Sequence, residues 1–343
     1  MEIKYREPTE SDIDQILTLF RDNDPSRKDF FNRSYYEWQF KLKPGQSKLQ
    51  VAEIQGRVGG FFALLPFNAS IKGENCTAIQ GVEAVVSPEF RGKGIFTNLA
   101  SNLYGQVQNT NIFNFPRPIT FRVYTQRMRH EFIGVLPYWI GITNIKSLFQ
   151  NKLGPLSTLL SPFNPVLNLR SYKENADNTI VAIKEFDSKW NVVEPWSYKS
   201  EFYLIKSDLY LNWRYVKHPC QHYDIYGAYR KEKPVGYIVL RGQNLIDIGY
   251  SDNSALEQLL NFAIIYFREN KVLMVHAYLS LDIDGSIILR KKGFIKFNIL
   301  QNKFTTRFVY PPQPATVKGK SDDEPFPRLD SWTFTMGDMD CKL

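Results

Sequence analysis

The sequence predicts an α+β fold built twice: two tandem units, each a mixed central sheet flanked by helices, the second a degenerate copy of the first. Three observations carry that expectation. The chain has 343 residues, 43% hydrophobic and 15% aromatic, which suits two cores at roughly 100–200 residues per domain. Helical and strand periodicities alternate along it rather than segregating. Finally, Tyr35, Trp38, Phe40 and Pro44 recur as Tyr210, Trp213, Tyr215 and Pro219 at a constant offset of 175, and Gly60-Phe61-Phe62-Ala63-Leu64 is answered by Gly236-Tyr237-Ile238-Val239-Leu240 at 176. Repetition at fixed spacing is the mark of duplicated architecture.

The elements follow in order. Ile13, Ile16, Leu17 and Phe20 make one helical face over Thr9–Asp22, and Thr9 with Asp12 forms a capping box. Leu49–Ile54 and Val58–Leu65 read as a hairpin about Gln55-Gly56-Arg57, and Lys72-Gly73-Glu74 turns into a strand over Thr77–Val86. Ile95, Leu99, Leu103 and Val107 share a helix face; Ile119–Tyr124 then reads as a strand and Met128–Val135 as a short helix. Residues 154–200, broken by prolines, glycine and serines, read as the connection between domains at 1–153 and 201–343. In the second domain Ser254 with Glu257 opens a helix to Asn270, Val272–Tyr278 is a strand, and a short helix ends at Arg290-Lys291-Lys292 with Gly293 as its cap. Trp332, Phe334 and Met336 alternate with threonines as a last strand.

Composition excludes several classes. No apolar run reaches the ~18 residues of a membrane-spanning helix, and the charged start Glu2-Ile3-Lys4-Tyr5-Arg6-Glu7 does not read as a signal peptide. Three widely separated cysteines, Cys76, Cys220 and Cys341, suit a reducing compartment. The expectation is a cytoplasmic protein, monomer or homodimer, with no membrane insertion. The net charge of +8 is dispersed, its densest run being Arg290-Lys291-Lys292, so no nucleic-acid partner is expected.

The sharpest local feature runs from Val82 to Phe96. A strand ends at Val86, a turn carries Gly92 and Gly94, and a helix begins. Two glycines let the backbone bring successive N–H groups against a ligand, and those groups with a helix N-terminus suit a phosphate or pyrophosphate. Arg91 and Lys93 add positive charge. A P-loop is excluded because Ser87 stands at its first glycine and Gly94 follows Lys93; a dinucleotide fingerprint is excluded because Thr97 stands at its third glycine.

This segment resembles the acyl-CoA-binding motif of the GCN5-related N-acetyltransferase (GNAT) superfamily, Arg/Gln-x-x-Gly-x-Gly/Ala after a central strand. Arg91-Gly92-Lys93-Gly94-Ile95-Phe96 matches it except that Phe96 replaces the small residue. The resemblance implies acetyl-CoA as co-substrate, with its pantetheine arm along Val85, Val86 and Ser87 and its pyrophosphate on the N–H groups of Arg91, Gly92, Lys93, Gly94, Ile95 and Phe96. The second half lacks the turn: Asp247 and Asp252 flank its corresponding strand end, although Arg290-Lys291-Lys292-Gly293-Phe294 resembles the family's closing Lys-x-Gly-Phe element. The Trp213-Arg214-Tyr215 and His218-Pro219 stretch, with the Trp332–Asp340 ending, resembles bacterial members near polysaccharide-biosynthesis enzymes.

The implied reaction is transfer of an acetyl group to a primary amine of a small acceptor, an amino sugar or sugar nucleotide. The amine must be neutral to attack, so a base is needed. Glu83, on the central strand, is the candidate base, and the N–H of Val85 or Val86 the candidate oxyanion donor. Tyr124 and His130 are candidate acids for the departing thiolate. Phe31–Pro44 and Thr125–Tyr138 are candidate acceptor loops. No metal is expected: His218, Cys220 and His222 lie at period two but Pro219 interrupts them and no fourth ligand is evident, and Asp338 with Asp340 is too common a pattern. Trp38, Trp196, Trp213, Tyr35 and Tyr210 are candidates for stacking on a sugar or for filling the core between domains. Two other readings stay open: a peptidoglycan-bridge-type aminoacyl transferase, and a CoA-binding module without activity.

Overall fold

The alternating run 48–86 folds as three antiparallel strands, β2 (Lys48–Ile54), β3 (Arg57–Ile71) and β4 (Glu74–Val86). In the computed structural model, which describes residues 2–143, 178–192, 200–297, 314–320 and 327–339, β1 (Ile3–Arg6) flanks β2 and β5 (Asn111–Asn114) runs parallel to β4. Alternation sorts the faces. Val51, Phe61 and Ala63 pack with Ile13, Leu17 and Phe20 of helix α1 (Ile13–Asn23), while Ala52, Phe62 and Leu64 pack with Ile95, Leu99 and Leu103 of α3 (Ile95–Gly105). The one-turn helix α2 (Arg33–Tyr36) follows α1 and packs on the same face.

The same order returns. β8 (Asn178–Ala182), β10 (Asp224–Arg230), β11 (Lys233–Arg241) and β12 (Asn244–Tyr250) pair antiparallel, and β13 (Met274–Ser280) runs parallel to β12. β8 and the turn Ser188–Val192 fall within the span read as a connection; residues 144–177 and 193–199 of it, and Trp196 with them, lie outside the described residues.

The two sheets then exchange strands. β7 (Tyr138–Ile142), from the first half, inserts antiparallel between β13 and β14 (Phe294–Phe297), and β15 (Pro314–Lys318), from the second, inserts between β5 and β6 (Glu131–Val135). β9 (Phe202–Leu204) pairs with the end of β3 and with β16 (Trp332–Thr335), which pairs with β13, so one continuous sheet crosses the molecule.

The aromatic residues that recur at an offset of 175 lie on two similar short elements. α2 and α5 (Asp208–Leu211) are capped by Asn32 and Ser207, and each runs into a π-helical turn, Glu37–Lys41 and Asn212–Val216. The turns meet at the joint between halves. Trp38 Nε1 donates to the Trp213 carbonyl at 2.7 Å, Trp213 Nε1 to the Trp38 carbonyl at 2.8 Å, and the rings stack at 5.0 Å. His218 lies 4.1 Å from the Trp38 ring, and Lys43 Nζ 5.6 Å from the Trp213 ring. Trp38, Trp213, Tyr35 and Tyr210 are all buried, so these aromatics form the core of the joint and offer no face to a sugar.

Three local expectations are corrected. Ile119–Tyr124 is helical, as α4 (Pro118–Arg122) and a π-helical turn Val123–Arg127, because Pro118 opens a helix at its first turn. Met128–Val135 holds strand β6, paired along β15. The helix read from Ser254 is α6 (Asn253–Glu269), capped instead by Asp252, whose carboxylate accepts from Ala255 N at 2.9 Å. The last α-helix described is α7 (Ile283–Lys291), closed by Gly293 at φ +85°.

Candidate active site

Strands β4 and β5 pair only as far as Gln80 opposite Phe113. Beyond that the backbones part, and Asn114 Oδ1 makes one further rung by accepting from Gly81 N at 3.0 Å. A cavity of about 1100 Å³ opens in the split, lined by β4, by the turn 91–96, by the ends of α1 and β5, and by Tyr278 and Met339 of the second half.

Glu83 sits on the cavity wall at a bulge, where pairing with β3 slips between Phe61–Val85 and Ala63–Val82. It takes φ +48°, an uncommon conformation for a residue with a side chain, and such strain gathers at functional positions. Its Oε1 accepts a 3.0 Å hydrogen bond from Tyr35 Oη, and the residue is buried. Val85, Val86 and Tyr124 line the same cavity.

His130 is placed elsewhere. It is buried behind the cavity, Nδ1 3.4 Å from Asn114 Nδ2 and Nε2 3.1 Å from Tyr104 Oη. Since Asn114 Oδ1 is engaged by Gly81 N, its Nδ2 is the donor, His130 Nδ1 accepts, and Nε2–H faces Tyr104. Burial, with Lys318 nearby, pushes this imidazole down to about 3. His130 thus holds Asn114 at the apex of the split and does not itself line the cavity.

The turn has the form the glycines suggest. After Pro88–Phe90, Gly92 takes φ +80° and Gly94 φ +74°, and Gly94 is the cap residue of α3. Nothing lies within 4 Å of where a Cβ would stand at either glycine. A loop with two left-handed residues, open space before it and a helix N-terminus behind it suits a diphosphate. Phe96 packs edge-on against Phe62 and Tyr124, at 5.5 and 5.6 Å, which accounts for a large residue where the family motif has a small one. Arg91 donates from Nε to the Val86 carbonyl at 3.2 Å and from a terminal nitrogen to Asn23 Oδ1 at 2.6 Å.

The cavity is electropositive: Arg27, Arg91, Arg117, Arg122 and Arg127 line it against Asp24 and Glu83. On that lining Asp24 is paired with Arg27 at 3.1 Å and Arg117 at 2.8 Å. Burial alone would raise its carboxyl; hydrogen bonds from Ser26, Arg117 and Arg27 outweigh that and hold it well below the usual carboxylate range. Sequence reasoning had no signal for Asn23, Asp24 and Arg27, which only the bend after α1 brings to the cavity, nor for Tyr278 and Met339 from the far half.

Among the described residues, the remaining sequence candidates are not grouped as metal ligands. His218 is buried and accepts from Cys220 N at 3.1 Å, while His222 is exposed. Among the described residues no group of three or more His, Cys, Asp or Glu is placed to hold a metal, and no described helix is long and apolar enough to cross a membrane. Asp340 lies outside the described residues.

Residues 4–127, the part that carries β4, the turn and α3, match the family model of the acetyltransferase (GNAT) domain. No curated protein sequence matches the chain. Among solved structures, it is similar to a GCN5-related N-acetyltransferase from Anabaena variabilis, with TM-score 0.63 and 14% identity over 93% of this chain and 73% of that one. A GCN5-related N-acetyltransferase from Kribbella flavida gives TM-score 0.54 and 12% identity over 92% and 70%. The N-myristoyltransferase of Saccharomyces cerevisiae with bound myristoyl-CoA gives TM-score 0.56 and 11% identity over 92% and 78%. At such identities the likeness is one of fold. The domain match and these neighbours together support an N-acyltransferase.

Proposed function

We propose that the chain is a tandem N-acyltransferase whose first half uses acetyl-CoA to acetylate a primary amine of a small acceptor, an amino sugar or sugar nucleotide of polysaccharide biosynthesis. Its second half is a degenerate copy without a CoA turn. The observation that carries the reading is the split between β4 and β5, opening directly beneath two left-handed glycines at a helix N-terminus.

The residues present fit an acyl-CoA. The open cradle at Gly92 and Gly94 leaves room that side chains would fill, and the arginine-rich wall complements phosphates. Bound there, acyl-CoA would supply the acyl group activated as a thioester. The N–H groups of Arg91 to Phe96 would take the diphosphate, with Arg91 and Lys93 adding charge. Glu83, oriented by Tyr35, accepts the proton that the amine must lose. The N–H of Val85 or Val86, just past the bulge, is the candidate oxyanion donor. Tyr124 offers a proton on the thiolate side. Arg27 and Arg117 on the cavity lining suit an acceptor that carries a phosphate or carboxylate.

Calorimetric titration with acetyl-CoA tests the reading. Binding to the wild type and its loss in Arg91→Glu are expected; no heat at millimolar ligand overturns the proposal.

A further inference from the structure

We propose that Met339, fixed by the second half of the molecule at the closed end of the first-half cleft, limits the length of the acyl group the cleft accepts. The inference rests on the acyl-CoA reading above. The cleft closes at Gln80, the last residue of β4 paired with β5, and its lining runs from there along β4 to the turn after Val86. An arm anchored at the turn and laid along β4 from Ser87 directs its far end toward that closure. The tail of the chain crosses there. Gln80 Nε2 donates to the Asp338 carbonyl at 3.2 Å, and Met339, the next residue, lines the cavity, as does Tyr278.

The wall is held from behind. Arg214, itself buried, donates from Nε to the Gly337 carbonyl at 2.9 Å and from a terminal nitrogen to the Met339 carbonyl at 2.7 Å. Lys206 Nζ pairs with Asp338 Oδ1 at 2.8 Å, and Asp338 Oδ2 accepts from Thr335 N at 2.8 Å. A side chain at Gly337 would collide with the Tyr215 hydroxyl. The backbone around Met339 therefore has little freedom to retreat. A short acyl group ends before the thioether; a long one must displace it from a close-packed setting.

Titration calorimetry of the full chain with CoA, acetyl-CoA and octanoyl-CoA decides it, in the wild type, Met339→Ala and the volume-conserving control Met339→Leu. The wild type and Met339→Leu are expected to bind acetyl-CoA at least about tenfold tighter than octanoyl-CoA. Met339→Ala is expected to tighten octanoyl-CoA about tenfold while CoA itself changes little. Equal affinity of the wild type for both thioesters, or an unchanged ratio in Met339→Ala, overturns the inference. So does a Met339→Ala that alters only the KM for an amine, which would assign the wall to the acceptor. Failure of every form to bind even CoA would instead overturn the acyl-CoA reading on which this rests.

Discussion

Both halves split their sheet after the parallel pair, and the two splits have opposite fates. β4 leaves β5 beyond Gln80 and the gap is a cavity. β12 touches β13 only at Asn244 opposite His276, and the gap beyond is filled by the chain's own tail: β16 pairs with β13 at Leu279 and Ser280, and the turn Met336–Asp338 packs behind it. Each fourth strand carries an acid three residues before the partner of an equivalent glycine, Glu83 before Val86 opposite Gly60, Asp247 before Tyr250 opposite Gly236. Glu83 faces the cavity; Asp247 is fully buried, held by Lys206 at 2.9 Å and by the Tyr215 hydroxyl. After the strand, one half has Gly92 and Gly94, and the other has Asp252, its carboxylate already on the helix N-terminus and paired with Arg230. A split sheet is a site only where nothing of the chain occupies it and where the helix end beside it still wants an anion.

The largest expected effect separates the two acids. Glu83→Gln keeps the volume and the hydrogen bond from Tyr35 while removing the proposed base. Turnover, followed as thiol release with an amine panel, should fall by roughly 10²–10⁴, with acetyl-CoA affinity retained by calorimetry. Loss of acetyl-CoA affinity together with turnover would make Glu83 a structural residue, like its counterpart Asp247.

Next comes the sealed split. Lys206 is the cation between Asp247 and Asp338, at 2.9 and 2.8 Å. Burial would lower its ammonium, and the two carboxylates outweigh this and raise it. Burial also raises the Asp338 carboxyl, against the pull of Lys206 and with the push of Asp247. Lys206→Met leaves two acids buried without their cation and should cost about 3–5 kcal/mol by urea denaturation. Adding Asp247→Asn and Asp338→Asn should recover much of that. If Lys206→Met alone is neutral, the tail is not anchored as described.

How much of this could be read from the sequence depends on how local the cause is. The hairpin at Gln55-Gly56 and the cradle at Gly92 and Gly94 were legible because turn geometry is set by the residues in the turn, and these four stand at positive φ. The segment 118–135 was misread in both parts: β-branched and aromatic residues in Ile119–Tyr124 imitate a strand where Pro118 opens a helix, and Met128–Val135, read as a short helix, holds a strand because β6 pairs with a strand from the far half. The exchange of β7 and β15 leaves no mark in either segment, because a strand does not record which sheet receives it. Glu83 was legible as a carboxylate on the central strand, but the bulge that gives it a positive φ was not. Tyr278 and Met339 reach the cavity only through the packing of one half on the other.

Acidification gives a smaller effect with a definite sign. Burial pushes His130 down to about 3, and burial with Arg214 and Arg241 nearby does the same to His218, against an ordinary value of 6.5. Below pH 6.5 the unfolded chain takes up protons at both positions that the folded one refuses, so stability is lost as pH falls from 6.5 toward 3. Each histidine contributes a slope approaching about 1.4 kcal/mol per pH unit. His130→Asn, which can still donate to Tyr104, should flatten the stability–pH curve by about that slope between pH 6 and 4, measured by urea denaturation. An unchanged curve would mean that His130 accepts a proton in the folded state.

The finest test concerns the joint that sets one half against the other. Trp38 and Trp213 stack and exchange indole hydrogen bonds to each other's carbonyls. Either Trp→Phe substitution removes one donor and leaves a buried carbonyl short of a partner, at a cost of about 1–3 kcal/mol. Because each ring also loses part of the other's stack, the double variant should cost less than the sum, by about 0.5–1.5 kcal/mol in a double-mutant cycle. Strict additivity would make the reciprocity a coincidence of two separate contacts. A coupling of the expected size would make it the energetic centre of the interface, through which the second half, by way of Arg214 beside both rings, holds the end of the chain at the first half's cleft.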